Sequence, residues 1–172
     1  MAHQQEGLSL NSSCLELEAT NINLIASRAI TQALPLIRSH NQSLTLNLTP
    51  RLPKIAADPL RIEQVLLNLI SNAVNLTPNG GNISISAYER QGFVLVSITD
   101  SGTTIPPEKR QEIFKPHCYL EDNRGQQIPE IGLGLSLCRY FVELHGGTIW
   151  LETKGRSKGN TFTFALPLHP RT

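Results

Sequence analysis

Cysteine is scarce in this sequence. Cys14, Cys118 and Cys138 are its three thiols in 172 residues. They lie far apart and form no Cys-x-x-Cys pair, which argues against a disulfide framework and against a structural zinc site. Charge of one sign is also missing. Fifteen Lys+Arg stand against 14 Asp+Glu, a formal net charge of +1, too balanced for a strongly basic nucleic-acid binder or an acidic tail protein. No apolar stretch approaches the ~20 residues needed to span a bilayer. The polar start Met-Ala-His-Gln-Gln-Glu has no charged segment leading into an apolar core. The expectation is a cytoplasmic domain with reduced thiols, no nucleic-acid partner and no direct membrane contact, whatever membrane association a longer parent has.

Familiar catalytic signatures are missing too. The five histidines are scattered, with no i, i+4 pair of metal ligands. His117 adjoins Cys118, but no Cys/His geometry follows from adjacency. There is no Gly-x-Ser-x-Gly, no Gly-x-x-x-x-Gly-Lys-Ser/Thr and no internal repeat. What is present is a composition 40% hydrophobic and 17% charged, enough to build the core of one domain.

Residues 1–19 read as a tail rich in Ser, Asn and Gln, and 20–170 as the domain. Asn21 or Asn23 caps a helix running to about His40, bent at Pro35. Leu44, Leu46 and Leu48 alternate with Thr45 and Asn47 as a half-buried strand, and Ile55 to Ala57 is a short extended piece. Asp58-Pro-Leu opens a second helix, with Asp as N-cap and Pro59 in the first turn. That helix ends in Thr77-Pro-Asn-Gly-Gly. Ile83–Tyr88 and Phe93–Thr99 alternate as a hairpin joined through Glu89-Arg-Gln-Gly. Pro107 to Phe114 reads as a short helix. Residues 115–131 show no periodicity, and a loop of that length inside a compact domain points to function or mobility. A third helix follows from about Gly132 to Leu144, stopped by His145-Gly-Gly. Strands at Thr148–Glu152 and Thr161–Leu166 close the domain. The fold class is α+β: a two-layer sandwich with a mixed sheet of about five strands and three main helices on one face.

Three groups of residues stand out. Asn68 and Asn72 sit about 40° apart on one helix face, with Asn75 on the same side. The residues between them are apolar, so neutral amides line a largely buried helix. An unpaired buried amide costs about 1–3 kcal/mol. Either these amides bond to nearby backbone, or they face a ligand such as a metal-bound phosphate. Asp100 ends an apolar strand before Ser101-Gly102. It either caps a turn or accepts hydrogen bonds from an amino group in a pocket. Gly132-Leu-Gly-Leu begins a helix, and two glycines there either serve packing or expose backbone N–H groups to phosphate. Cys138 points toward the apolar face of its helix and reads as core.

In this order, the pieces resemble the ATP-binding catalytic domain of sensor histidine kinases, the Bergerat fold shared with gyrase B, Hsp90 and MutL. Asp58-Pro-Leu-Arg-Ile-Glu-Gln-Val-Leu-Leu-Asn-Leu-Ile-Ser-Asn-Ala resembles the N box of that family. Asp100-Ser-Gly-Thr-Thr-Ile resembles its D-x-G-x-G-I box, and Ile113-Phe-Lys-Pro-His its F box. Gly132-Leu-Gly-Leu-Ser-Leu resembles its G-x-G-L-G-L box. His145-Gly-Gly-Thr-Ile and Gly159-Asn-Thr-Phe-Thr-Phe-Ala-Leu-Pro resemble its terminal strands.

The resemblance implies ATP and Mg²⁺ as cofactors. It makes Asn72 the metal ligand and Asn68 a catalytic neighbour that orders water or phosphate. Asp100 would read the adenine amino group, with Gly102 clearing space for the ring. Asn75, Ile105, Lys115, Gly132, Leu133, Gly134 and Thr161 complete the implied nucleotide contacts, Thr161 at the adenine side. Residues 115–131 would be a lid, and residues 8–20 the end of a helical dimerisation domain. That domain would carry the acceptor histidine, and a response regulator would follow it. Three positions depart from the family pattern. Asn75 stands where a basic residue is usual, and Thr104 and Glu130 stand in place of glycines. No His-Glu-x-x-x-Pro segment is present. The resemblance therefore implies the nucleotide-binding half of a histidine kinase. The alternative is a degenerate, non-catalytic module of the same fold that serves protein interaction.

Overall fold

The computed structural model describes residues 15–116, 120–121, 127–128, 131–153 and 159–169. Its elements begin with β1 (Glu18–Thr20), α1 (Ile22–Ser39), β2 (Ser43–Leu48), β3 (Ile55–Ala57), α2 (Pro59–Leu76), β4 (Asn82–Arg90) and β5 (Phe93–Asp100). Two 3-10 turns follow, Pro107–Lys109 and Glu112–Phe114. The chain continues through β6 (Leu120–Glu121), β7 (Gln127–Ile128), α3 (Ile131–Leu144), β8 (Thr148–Glu152) and β9 (Thr161–Pro167).

Local chemistry sets the boundaries of these elements. The Asn21 side chain accepts a hydrogen bond from the Asn23 N–H at 3.0 Å and so caps α1. Asp58 caps α2 by accepting from the Arg61 N–H, and Pro59 occupies the first turn, where no N–H is needed. The β4–β5 hairpin turns on two residues, Gln91 at φ 50° and Gly92 at φ 83°. Positive φ at both central positions is what a turn matched to the strand twist requires. Gly146 at φ 76° ends α3, and the Gly147 N–H donates to Val142 O at 3.0 Å.

Five strands form one sheet in the order β2-β4-β5-β9-β8. The β2–β4 pair is parallel and the other three pairs are antiparallel. Alternation puts Ile83, Ile85, Val94, Val96, Ile98, Phe162 and Phe164 on the buried face. The helices cover that face. Central α2 packs against α1, α3 and β5, and Ile62, Val65, Leu66, Leu69, Ile70 and Ala73 are all 0% exposed. His145 ties two helices together. Its Nδ1 lies 2.6 Å from Phe141 O, and its Nε2 accepts from the Asp58 N–H at 3.0 Å. A ring nitrogen that accepts from a backbone N–H carries no proton, so Nδ1 is the donor to Phe141.

Several expectations change. The segment Pro107–Phe114 is two 3-10 turns and not one helix; its Pro106-Pro107 start and exposed polar residues leave it little apolar face to bury. Leu44 and Leu48 of the strand expected to be half-buried pack against the core, but Leu46 between them is 46% exposed, because β2 is a sheet edge. Pro35, where a bend is expected, does lie inside α1, which runs to Ser39. Glu18–Thr20, within the segment expected to be the end of a helix, is a strand paired antiparallel with β3. Alternation at Leu15–Glu18 suits that extended backbone. Within 115–131, Leu120–Glu121 pairs with Gln127–Ile128. His117, Cys118 and Glu130, like Cys14, lie outside the described residues.

Candidate functional site

The amide strip of α2 lies on the helix-covered side of the sheet, since α2 packs on β5. Asn72 is 4% exposed, and its Nδ2 is buried with no hydrogen-bond partner. The backbone-bonded alternative therefore fails for Asn72. A buried donor left open costs about 1–3 kcal/mol, and a ligand atom at this spot would recover it. An amide presents either nitrogen or oxygen by a half-turn of its terminal torsion. Asn68 stands where α2 meets α3. A Cβ placed on Gly134 would lie 3.7 Å from its carboxamide carbon, and its side chain lies near enough to Cys138 to act to lower that thiol, whose Sγ donates to Val65 O at 3.7 Å. Burial pushes the Cys138 thiol up to about 12, against the lowering effect of Asn68. Cys138 is therefore a core residue and not a nucleophile. Asn75 is partly buried in the last turn of α2.

Asp100 ends β5 on the same side and is 3% exposed. Its Oδ1 accepts from the Gly102 N–H at 2.9 Å and from Asn160 Nδ2 at 3.1 Å, and its Oδ2 lies 3.4 Å from the same nitrogen. Burial raises the carboxyl from 3.8 to about 6, although these hydrogen bonds act to lower it. Such a carboxylate, with one oxygen weakly engaged, suits an incoming amino group.

Gly102 has a reason within the fold for being glycine, apart from any clearance of a ring. A Cβ there would fall 2.0 Å from Leu76 O, so it is the end of α2 that demands the missing side chain. Gly159, at φ 122°, has the same cause: its Cβ would lie 2.3 Å from Asp100 O. Ile105 is 4% exposed, and its N–H donates to Asn160 Oδ1 at 2.8 Å. Thr161, expected at the adenine side, opens β9. Its hydroxyl bonds Thr99 at 3.0 Å across the sheet face away from the core, opposite the face that buries Phe162. The neighbour that does reach Asp100 is Asn160, 1% exposed, which the sequence reading missed. Its only sequence signal is its place between Gly159 and a strand, and its partners lie 55 to 60 residues away.

Gly132, Leu133 and Gly134 fall in the first turn of α3, where backbone N–H groups lack partners inside the helix and favour an anion. The Lys115 side chain is exposed just before the segment that leads there. A cavity of about 340 Å³ lined by Arg110, Phe114, Arg139 and Trp150 contains none of these residues. Shape alone therefore does not single out the site; the buried amide and carboxylate do. Together the residues offer an acceptor for an amino group, neutral amides, and the positive end of a helix. That set can hold a purine and its phosphates.

The family model for histidine kinase-, DNA gyrase B- and HSP90-like ATPases matches residues 57–170. The adaptive-response sensory kinase SasA of Synechococcus sp. (strain CC9311) is 40% identical over 149 residues, which are 86% of this chain and 38% of that protein. The chain thus spans under two-fifths of the length of this relative. The nucleotide-free catalytic domain of histidine kinase ThkA superposes with a TM-score of 0.78 at 33% identity, covering 90% of this chain and 97% of that one. ThkA in complex with the response regulator protein TrrA superposes at 0.75 and 30% identity, covering 90% of this chain and 42% of that one. With a match over most of its length and an α+β fold that follows the ThkA catalytic domain, this chain belongs to the histidine kinase-, DNA gyrase B- and HSP90-like ATPase family, as a domain of the histidine-kinase catalytic type.

Proposed function

We propose that this chain binds Mg²⁺-ATP and presents the γ-phosphate to a histidine on a separate helical dimerisation domain of its parent kinase. A response regulator would receive the phosphoryl group afterwards, and the domain would work in the cytoplasm. The observation that carries this reading is the buried Asp100 carboxylate, held by uncharged donors and raised to about 6. A carboxylate of this kind is an acceptor awaiting a donor, and the adenine amino group is one.

The residues fit the metal as cargo of a triphosphate. Among the described residues no cluster of three or more His, Cys, Asp or Glu could hold a cation alone. Magnesium needs only one or two protein oxygens when phosphates supply others, and Asn72, turned so that its Oδ1 takes the place of the unpartnered Nδ2, would be such a ligand. When bound, Mg²⁺ supplies charge neutralisation between the phosphates. The remaining work belongs to the chain. Asp100 orients the base, with Ile105 buried beside it. Asn68 and Asn75 steady the phosphate side, and Lys115 adds a cation at its edge. Gly132, Leu133 and Gly134 offer backbone N–H groups. Phosphoryl transfer through a loose transition state asks mainly for such positioning and charge stabilisation. Residues 1–19 would be what remains of the dimerisation segment, with β1 lying against β3. Most of the expected lid lies outside the described residues.

A second reading, a non-catalytic binding module, is favoured by Asn75 in place of a cation and by Thr104, whose hydroxyl accepts from the Gly159 N–H. Titration with a fluorescent ATP analogue, with and without Mg²⁺, separates the two. Micromolar, Mg²⁺-dependent binding supports the kinase reading. No binding at millimolar nucleotide supports the module.

A further inference from the structure

We propose that Asn160 is a positioning residue for the adenine-reading carboxylate, holding Asp100 in its accepting orientation and, with Thr104, latching segment 100–105 to the start of β9. The inference rests on the nucleotide reading above and deepens it.

The hydrogen bonds of Asn160 settle its orientation. The Ile105 backbone can only donate, so the atom that it meets at 2.8 Å is Oδ1. Nδ2 then faces three acceptors: Asp100 Oδ1, Asp100 Oδ2 and Thr103 O at 2.9 Å. The backbone of Asn160 adds another tie, its carbonyl accepting from the Asp100 N–H at 2.9 Å. Thr104 fastens the same two segments from the other side, its hydroxyl accepting from the Gly159 N–H at 3.2 Å. An amide that only filled the core would have bonded to backbone alone. This one spends a donor on a carboxylate, and that bond favours the ionised form.

Among the described residues no charged group competes for this role. Asp100 has no ion-pair partner among the described residues. β5, segment 101–105 and β9 carry no other titratable side chain, and those of α2 (Arg61, Glu63) and β4 (Tyr88, Glu89, Arg90) lie at the ends remote from Asp100. The influences on its carboxyl are burial, the Gly102 N–H, and the side chain and backbone of Asn160. Among the described residues, Asn160 is therefore the one side chain whose hydrogen bond favours the ionised acceptor, after the Gly102 N–H.

The test uses the full chain, with Asn160→Ala and Asn160→Asp beside wild type. Carbon NMR follows the Asp100 carboxyl through pH without nucleotide, and a fluorescent ATP analogue is titrated from pH 5 to 8. The Asp100 midpoint should move up in Asn160→Ala. It should move further in Asn160→Asp, which retains an oxygen for the Ile105 N–H and sets a second carboxylate against the first. Analogue affinity at pH 7 should fall roughly tenfold, and the pH at which binding is lost should move with the carboxyl. Folded variants whose midpoint and binding profile match wild type would overturn the inference while leaving the nucleotide reading intact. Wild type that binds no nucleotide at any pH, with the midpoint still moving, would overturn the adenine role together with that reading. Failure of both variants to fold would make Asn160 merely structural and also overturn it.

Discussion

Asp100 carries opposite consequences for stability and for binding. Its folded-state value of about 6 lies above the ordinary 3.8, so the folded domain holds this proton more tightly than the unfolded chain. Its contribution to stability is full below pH 3.8 and is lost as pH rises through 6, a loss of about 3 kcal/mol. Asp100→Asn should remove that slope. Denaturant unfolding at pH 4 to 7 should show the variant gaining on wild type up to pH 6 and holding level above it. Nucleotide affinity should run the other way. It should fall in wild type below pH 6, and Asp100→Asn should weaken ATP at pH 7 by roughly tenfold or more, since a hydrogen bond to a charged group is worth about 1.5–3 kcal/mol. Unchanged affinity in a normally folded Asp100→Asn would remove the residue from the site. At this scale the sequence was half legible. A carboxylate at a strand end before a glycine marked Asp100, and the three asparagines at helical spacing marked Asn72. Asn160 escaped because its role exists only once β9 lies beside β5, and no local pattern records that.

The proposed site spans the C-terminal end of α2, where Gly102 meets Leu76, and the start of α3, where Gly134 faces Asn68, and these two glycines have separable roles. Gly102→Ala would drive its Cβ against the Leu76 carbonyl. The backbone must shift, so a loss of about 1–3 kcal/mol is expected, seen as a lower melting temperature with or without nucleotide. Gly134→Ala meets only the Asn68 side chain at 3.7 Å, an ordinary contact. Helix propensity should hold its stability level or raise it by about 0.5–1 kcal/mol, while ATP binding weakens if that turn faces phosphate. Equal melting losses in the two variants would contradict the distinction. At the N-terminal end of α2, His145→Ala should cost about 1–3 kcal/mol, because it strips the buried Asp58 N–H of its acceptor; calorimetry measures it. Helix caps and the hairpin were legible because Asn21, Asp58 and Gln91-Gly92 act on neighbours in sequence. The 3-10 turns and the His145–Asp58 tie were not, since burial and contacts 87 residues apart decide them.

At the scale of the molecule, one layer of helices over one sheet gives a platform on which chemistry is gathered but not finished. No histidine of the chain stands in the segment that would accept phosphate, and the chain spans only part of its kinase relatives. Incubated alone with Mg²⁺-ATP, it should gain no acid-labile phosphate. Adding the helical domain of its parent should restore transfer, and label appearing on the isolated chain would show that the acceptor has been misplaced. The layer order was readable from the alternation of helical and strand periods. The edge position of β2, and with it the exposure of Leu46, depended on pairing that periodicity does not encode. The central claim is that Asn72, Asp100 and the first turn of α3 form one nucleotide site. Backbone amide NMR on adding a non-hydrolysable ATP analogue with Mg²⁺ tests it most directly. Shifts should concentrate at Asn68–Asn75, at Asp100–Ile105, at Gly132–Gly134 and at Asn160. Shifts confined to the cavity lined by Arg110, Arg139 and Trp150, or none at millimolar analogue, would contradict it.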